Sequence, residues 1–166
     1  MKQLGLQPTQ QVDLCRMVEF ETEPHTRCWL GETGEHWHRR SISDETQEHL
    51  TAMLDGAAVI GFVVLAGLGR VPSVIEIRRV VIGAEWQGAG HGRALLRAAI
   101  ERARTLHGAT MVWLDVKPGN QRARALYMQE GFREERLISD AMEEPDGTFS
   151  DLIIMTLDLP LTESSQ

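Results

Sequence analysis

The stretch WQGAGHGRALLRAAIERA, Trp86–Ala103, places Gly88, Gly90 and Gly92 directly ahead of a run of strong helix formers. The first N–H groups of a helix have no partner inside it and carry partial positive charge, so they grip an anion, most often a phosphate. Glycines at such a turn let the backbone approach the ligand, because no Cβ stands between. A strand at Val74–Ile82, a loop at Gly83–Ala89 and a helix at Gly90–Leu106 supply the arrangement needed to hold a pyrophosphate. Two phosphate motifs are excluded by detail. The nucleotide P-loop needs Lys then Ser or Thr after its last glycine, and here Arg93-Ala94 follow Gly92. The dinucleotide pattern, counted from Gly88, demands glycine where Arg93 stands. What remains is Gln-x-x-Gly-x-Gly, made by Gln87, Gly90 and Gly92.

Other residues carry chemistry with more than one reading. Tyr127 is the single tyrosine of the chain. It reads as a core aromatic whose hydroxyl reaches the surface; a phenol with a pKa of about 10 is protonated at neutral pH and able to donate. Asn120 lies nearly two helical turns before it, so both face one cleft if a helix starts at Asn120; Asn120 alone is a good N-cap. Strand alternation puts Glu76, Arg78, Val80 and Ile82 on one face and Ile75, Ile77, Arg79 and Val81 on the other, unless a β-bulge upsets the parity. His36 and His38 in EHWHRR lack the carboxylate or cysteine partners of a metal set and read as a solvated or substrate-side loop. Trp29 and Trp37 offer ring faces on which a cation can stack, with packing the competing explanation for at least one. Arg93, in the first helical turn, is the arginine best placed to touch a phosphate; Arg97, Arg102 and Arg104 read as surface charge. Cys15 and Cys28 lack CxxC spacing and read as reduced thiols without a role.

The elements that must position these residues follow from periodicity and punctuation. Thr9–Glu21 reads as a modest helix, and Glu23–Ser43 as a polar, irregular region. Ser43 looks like an N-cap, with Asp44 and Glu45 in the first turn of a helix reaching Leu54. Ala58–Leu68 and Val74–Ile82 are strand-like, the helix follows, and Met111–Val116 is a buried strand. A helix is expected over Gln121–Glu130 with Gly131 past its end. REERLISDAM and SDLIIMTLDL are two strands joined by the turn EEPDGTF. The order implies a mixed α/β layer with crossovers at its centre and a hairpin at its end.

The Gln87–Gly92 pattern resembles the pyrophosphate motif of the GNAT superfamily of acyl-CoA-dependent N-acetyltransferases, Arg/Gln-x-x-Gly-x-Gly/Ala. VIEIRRVVIGAEWQGAGHGRALLRAAIERA is similar to that family's fourth strand, loop and third helix, and WLDVKPGNQRARALYMQEGF, Trp113–Phe132, to its fifth strand and following helix. The resemblance implies one domain over 1–166: a mixed, strongly twisted sheet of six to seven strands flanked by about four helices, with the fourth and fifth strands splayed to admit acetyl-CoA. It implies that Val80, Val81 and Ile82 pair with the pantetheine arm. It implies that the amides of Gln87, Gly88, Ala89, Gly90, His91, Gly92 and Arg93 hold the pyrophosphate, with Asn120 touching the cofactor. Tyr127 would protonate the departing thiolate, and Glu76 would be the general base, directly or through water; an ion pair with Arg78 or Arg79 is the competing reading of Glu76. The acceptor side would be lined by Trp29, Trp37 and Glu76. The scheme calls for no metal and no acyl-enzyme cysteine.

The reaction implied is direct attack of a primary amine, on a small molecule or a peptide N-terminus, upon the thioester. The rival from another class is a non-catalytic acyl-CoA sensor of the same fold, disfavoured by the presence of Tyr127. A second rival moves another acyl group, such as succinyl. A net charge of −7 argues against nucleic acid as partner, since nucleic-acid binders usually carry a basic surplus. The longest apolar stretches, such as Ala57–Gly69, are too short to span a bilayer, and no signal peptide opens the chain, so a cytoplasmic protein is expected. The family's habit is a homodimer. The acceptor itself leaves no signature in Glu23–Ser43.

Overall fold

The computed structural model describes residues 2–161. Seven strands form one mixed sheet: β1 Leu4–Pro8, β2 Gln47–Leu54, β3 Ala58–Ala66, β4 Val74–Ile82, β5 Met111–Val116, β6 Arg133–Glu143 and β7 Phe149–Asp158. Their spatial order is β1-β2-β3-β4-β5-β7-β6. Every neighbouring pair is antiparallel except β4 and β5, which run parallel and are joined by the crossover helix. The helices are α1 Leu14–Thr22, α2 Pro24–Arg27, α3 Glu35–Ser43, α4 His91–Leu106 and α5 Gln121–Gln129.

The sheet has a core on each face. On one, α4 lays Leu95, Leu96, Ala99 and Ala103 against Leu50, Ile60, Ile75, Ile77 and Val112. The spacing of those helical residues is the one-sided stripe of an amphipathic helix. On the other face, Met17 and Phe20 of α1 cover Phe62, Val64 and Val81. Burying a side chain such as Phe20 is worth about 1.5–3 kcal/mol, and both Met17 and Phe20 are fully buried. Gly83 follows β4 under this second core: a Cβ there would stand 2.4 Å from the Phe20 ring. The loop can therefore leave the strand closely beneath α1.

Three expectations fail around the N-terminal half. Ser43 does not open a helix; it ends α3, and Gln47–Leu54 is strand β2. Asp44 accepts hydrogen bonds from the Thr46 amide at 2.9 Å, the Thr46 hydroxyl at 2.7 Å and the Gln47 amide group at 2.8 Å. This is a side-chain-closed turn, whose residue types are those of a helix start. The Glu23–Ser43 region holds two helices; α3 buries His38 and Ser41, which are polar and leave no apolar period to read. The expected first helix begins later, at Leu14, after the unexpected edge strand β1 and a short 3-10 turn at Gln11–Asp13.

The parity of β4 is also corrected. Arg79 is opposite Val64 but Ile77 is opposite Leu65, so Arg78 is an extra residue in a β-bulge. A bulge puts two residues against one and shifts the alternation. Ile75, Ile77 and Ile82 share the α4 core, Val80 packs against it, and Val81 joins the α1 core. Glu76, next to Ile75 and Ile77, therefore faces the same way as Arg79 and Val81.

Candidate active site

The parallel ladder between β4 and β5 covers only Val74–Glu76 against Met111–Trp113. Beyond it the two strands diverge and a cleft of about 1290 Å³ opens. Val80, Val81 and Ile82 line one wall; Val116, Asn120 and Tyr127 line the other. Gln87, Gly88, Gly90, Gly92 and Arg93 close one end, while Trp29, Trp37, Glu76 and Asp115 stand toward the other reaches. Of the residues expected in the site, Ala89 and His91 do not line the cleft; the His91 ring sits edge-on to Trp86, centroids 6.3 Å apart.

The glycine loop has the conformation that phosphate binding needs. Gly88 and Gly90 have φ of +85° and +83°, values that glycine reaches without the penalty other residues bear. Gly90 is the N-cap of α4, and the Ala94 amide already bonds back to its carbonyl at 3.1 Å. The amides ahead of Ala94 are thus left for a ligand. No heavy atom lies within 4 Å of a Cβ built at Gly92, so the space above the first turn is open. Gln87 has a structural duty: its amide group donates to the Ile82 carbonyl at 2.9 Å and ties the loop to the strand end. Arg93 pairs with Glu130, which also takes Arg97 at 2.7 Å.

On the far wall, Asn120 caps α5 by accepting from the Ala123 amide at 3.3 Å, and it lines the cleft from that position. Tyr127 is half-buried, its ring 5.9 Å from Phe132. Burial, with a smaller contribution from the charge of Asp115, pushes its phenol up to about 12. It therefore remains a proton donor across the physiological range.

Two carboxylates face the cleft near the fork, and they differ. Glu76 is held by Arg78, at 2.7 and 3.1 Å. Asp115 has no ion pair among the described residues, and loss of hydration, then the nearby Glu76, hold its carboxyl above the ordinary aspartate range. Asp115 escaped the sequence reading. Its one signal is a lone charge in the strand MVWLDV, on the face opposite Leu114 and Val116.

The aromatic residues are placed unequally. Trp29 is partly exposed and borders Gly119. Trp37 lines the cleft, but its ring face is covered by the Arg79 guanidinium, 3.7 Å from the centroid, so that face is taken. His38 is fully buried and His36 exposed; the pair does not share one loop surface, and His38 belongs to a buried network with Glu21 and His49. Over the cleft, Lys117 donates to the Cys28 carbonyl at 2.9 Å and pairs with Glu144, joining the segment after α2 to the β6–β7 turn.

Comparison with known proteins agrees with this geometry. The description "Acetyltransferase (GNAT) family" matches residues 14–132. The N-alpha-acetyltransferase RimI of Mycobacterium tuberculosis (strain ATCC 25618 / H37Rv) is 33% identical over 86 residues, 51% of this chain and 52% of that protein. The chain thus spans about half the length of the curated relative it matches. Among solved structures, the spermidine N-acetyltransferase from Vibrio cholerae in complex with CoA and spermine superposes with a TM-score of 0.81 at 21% identity, over 94% of this chain and 95% of that one. The ribosomal-protein-S18-alanine N-acetyltransferase from Escherichia coli gives 0.78 at 21% identity, over 99% of both. These two likenesses concern the fold.

Proposed function

The chain belongs to the acetyltransferase (GNAT) family, and from that premise we propose that it transfers an acetyl group from acetyl-CoA to a primary amine by direct attack. The observation that carries the reading is the fork: β4 and β5 separate after Glu76 and Trp113, and Asp115 and Tyr127 both line the cleft that opens there. The free edge of β4 at Val80–Ile82 offers backbone groups for an extended pantetheine arm. The Gln87 amide is taken by the Ala84 carbonyl at 3.2 Å, but the amides from Gly88 to Arg93, with open space at Gly92, suit a pyrophosphate. Acetyl-CoA supplies the activated thioester; the remaining work falls to the chain's own residues.

An amine reaches the cleft as an ammonium and must lose a proton before its nitrogen can attack. Asp115 is the better acceptor of that proton, because it is unpaired and raised, whereas Glu76 is engaged by Arg78. Glu76 keeps Asp115 raised by its own charge. The nitrogen–carbon bond forms as the carbonyl electrons move onto oxygen, where a β4 amide stabilises them. The carbonyl re-forms as the carbon–sulfur bond breaks, Tyr127 delivers its proton to the thiolate, and the excess proton on the new amide nitrogen returns to the Tyr127 oxygen, leaving a neutral amide and the free thiol. The acceptor is a small-molecule amine or a peptide N-terminus.

Calorimetric titration with acetyl-CoA, followed by an amine panel read by thiol release, tests the reading. One-to-one binding and amine-dependent release are expected. Absence of binding at millimolar ligand would overturn it.

A further inference from the structure

The reaction scheme leaves unused the segment between α1 and α3, which crosses the fork and returns. At its start, the Ala84 amide, just past β4, donates to the Glu23 carboxylate at 2.7 Å. At its far end, Arg79 of β4 donates to the Glu32 carbonyl at 2.9 Å. Between these points the chain reaches the opposite prong: Lys117, the residue after β5, donates to the Cys28 carbonyl at 2.9 Å. Both cations are held from behind. The fully buried Glu21 binds Arg79 at 2.7 Å. Glu144 of the β6–β7 turn pairs with the buried Lys117 and accepts from the Ser150 hydroxyl. Packing closes the crossing: a Cβ built at Gly31 would stand 2.9 Å from Met142 Sδ of β6, and one built at Gly119 would stand 3.8 Å from the Trp29 ring. Trp29, Leu30, Gly31 and Met142 all line the cleft. The segment is thus a strap over the cleft, tied to β4 at both ends and to the end of β5 in the middle.

We propose that Lys117 is a specificity-determining residue: by tethering the strap at Cys28 it fixes the girth of the acceptor entrance, which takes a slender, unbranched amine and turns away a bulky one. The proposal rests on the acetyl-transfer reading. The ladder between β4 and β5 stops at Glu76 and Trp113, and the strap supplies the cross-connection that the sheet gives up. The Cys28 and Glu32 carbonyls are four residues apart, and four residues of chain reach about 14 Å at most. A passage under so short a bridge, with Met142 against Gly31, fits an alkyl chain or an extended peptide end and not an amine carried on a folded surface. The strap cannot hold this shape alone, because α2 has only four residues and an isolated helix of that length is unstable. A donor that is charged makes the stronger kind of hydrogen bond, and Glu144 balances that charge, so the tether does not repel an entering ammonium.

The test pairs amide hydrogen exchange with an acceptor comparison. It uses the unaltered protein, Lys117→Met, which keeps the side chain's length but cannot donate, and Met142→Ala, which removes bulk under the strap from a half-buried site on an edge strand. Lys117→Met should speed exchange from Cys28 to Glu32 by about tenfold, the order that one hydrogen bond from a charged donor supplies. Thiol release is then measured with n-hexylamine and 1-adamantylmethylamine, which carry the same aminomethyl group and differ in girth. The ratio of kcat/KM, adamantylmethylamine over hexylamine, should rise by about tenfold in Lys117→Met and rise also in Met142→Ala, with KM for the bulky amine carrying the change. A tether that only stabilised the fold would lower both rates together and leave the ratio unmoved. Unchanged exchange in Lys117→Met, or an unchanged ratio in either variant, would overturn the proposal; Met142→Ala keeps this decision open to measurement where Lys117→Met does not fold. Absence of thiol release from the unaltered protein with every amine of the panel marks instead the failure of the acetyl-transfer reading, and exchange still decides whether Lys117 holds the strap.

Discussion

Glu76 stands on the last rung that β4 shares with β5, opposite Trp113, and Asp115 lies two residues further along β5, close enough that the charge of Glu76 adds to loss of hydration in raising the Asp115 carboxyl. One of the two is bound by an arginine and the other is free. Their difference divides the work between a base and the charge that tunes it. Asp115→Asn should therefore lower kcat by about 100-fold or more, the range for losing a general base, while Glu76→Gln should lower it less and shift the acid limb of the kcat–pH profile downward. Steady-state rates across pH decide this; equal losses in both variants would remove the distinction.

Tyr127→Phe should lower kcat by about 100-fold and leave acetyl-CoA affinity nearly unchanged, because the ring still packs on Phe132. Kinetics paired with calorimetry check the split. An unchanged kcat would remove Tyr127 from the mechanism.

Gly92→Val should abolish acetyl-CoA binding with a folded protein. Gly92 is helical and its Cβ would meet nothing within 4 Å, so the new side chain fills only the space reserved for a ligand. Gly90→Val is a less selective probe, because φ there is +83° and strain adds to the loss of binding. Thermal melts with and without acetyl-CoA separate the two effects; a ligand-induced rise in Tm for Gly92→Val would contradict the loop assignment.

His49 ties stability to pH. Burial, then the charges of His38 and Arg79, lower its pKa from 6.5 to about 3. Between these values the unfolded chain binds a proton that the folded chain refuses, so stability falls as pH drops below 6.5. The loss is about 1.4 kcal/mol per pH unit, or about 2 kcal/mol at pH 5. Urea unfolding at pH 7 and pH 5 measures it, and His49→Gln should remove this part of the slope. An identical slope in the variant would show that His49 does not titrate across unfolding.

The central and C-terminal elements were legible because each satisfied one rule over its length. VIEIRRVVI is β4 end to end, and the α4 stripe of Leu95, Leu96, Ala99 and Ala103 has one apolar face. Glycine conformation and helix polarity likewise made the loop readable. The N-terminal half was hidden where polar residues do the packing. His38 and Ser41 bury the inner face of α3, and His49 and Thr51 the second face of β2, so apolar periodicity points elsewhere. Within the site, Asp115 was missed because its one local mark is a lone charge in the apolar strand MVWLDV. Its importance arises from β4, whose bulge at Arg78 turns Glu76 and Arg79 to its side. The pairing of Glu21 with Arg79 joins residues 58 positions apart, a relation that local pattern cannot express.

The C-terminal edge of the sheet is β6, nearly all of it exposed and with Leu137 and Ile138 uncovered. Its pairing with β7 slips twice, and Asp140 takes φ of +49° within the second slip. A strand bent in this way presents its amides and carbonyls out of step with any straight strand laid beside it. The edge is thus a poor template for stacking one molecule on the next, although Leu137 and Ile138 stand uncovered on it.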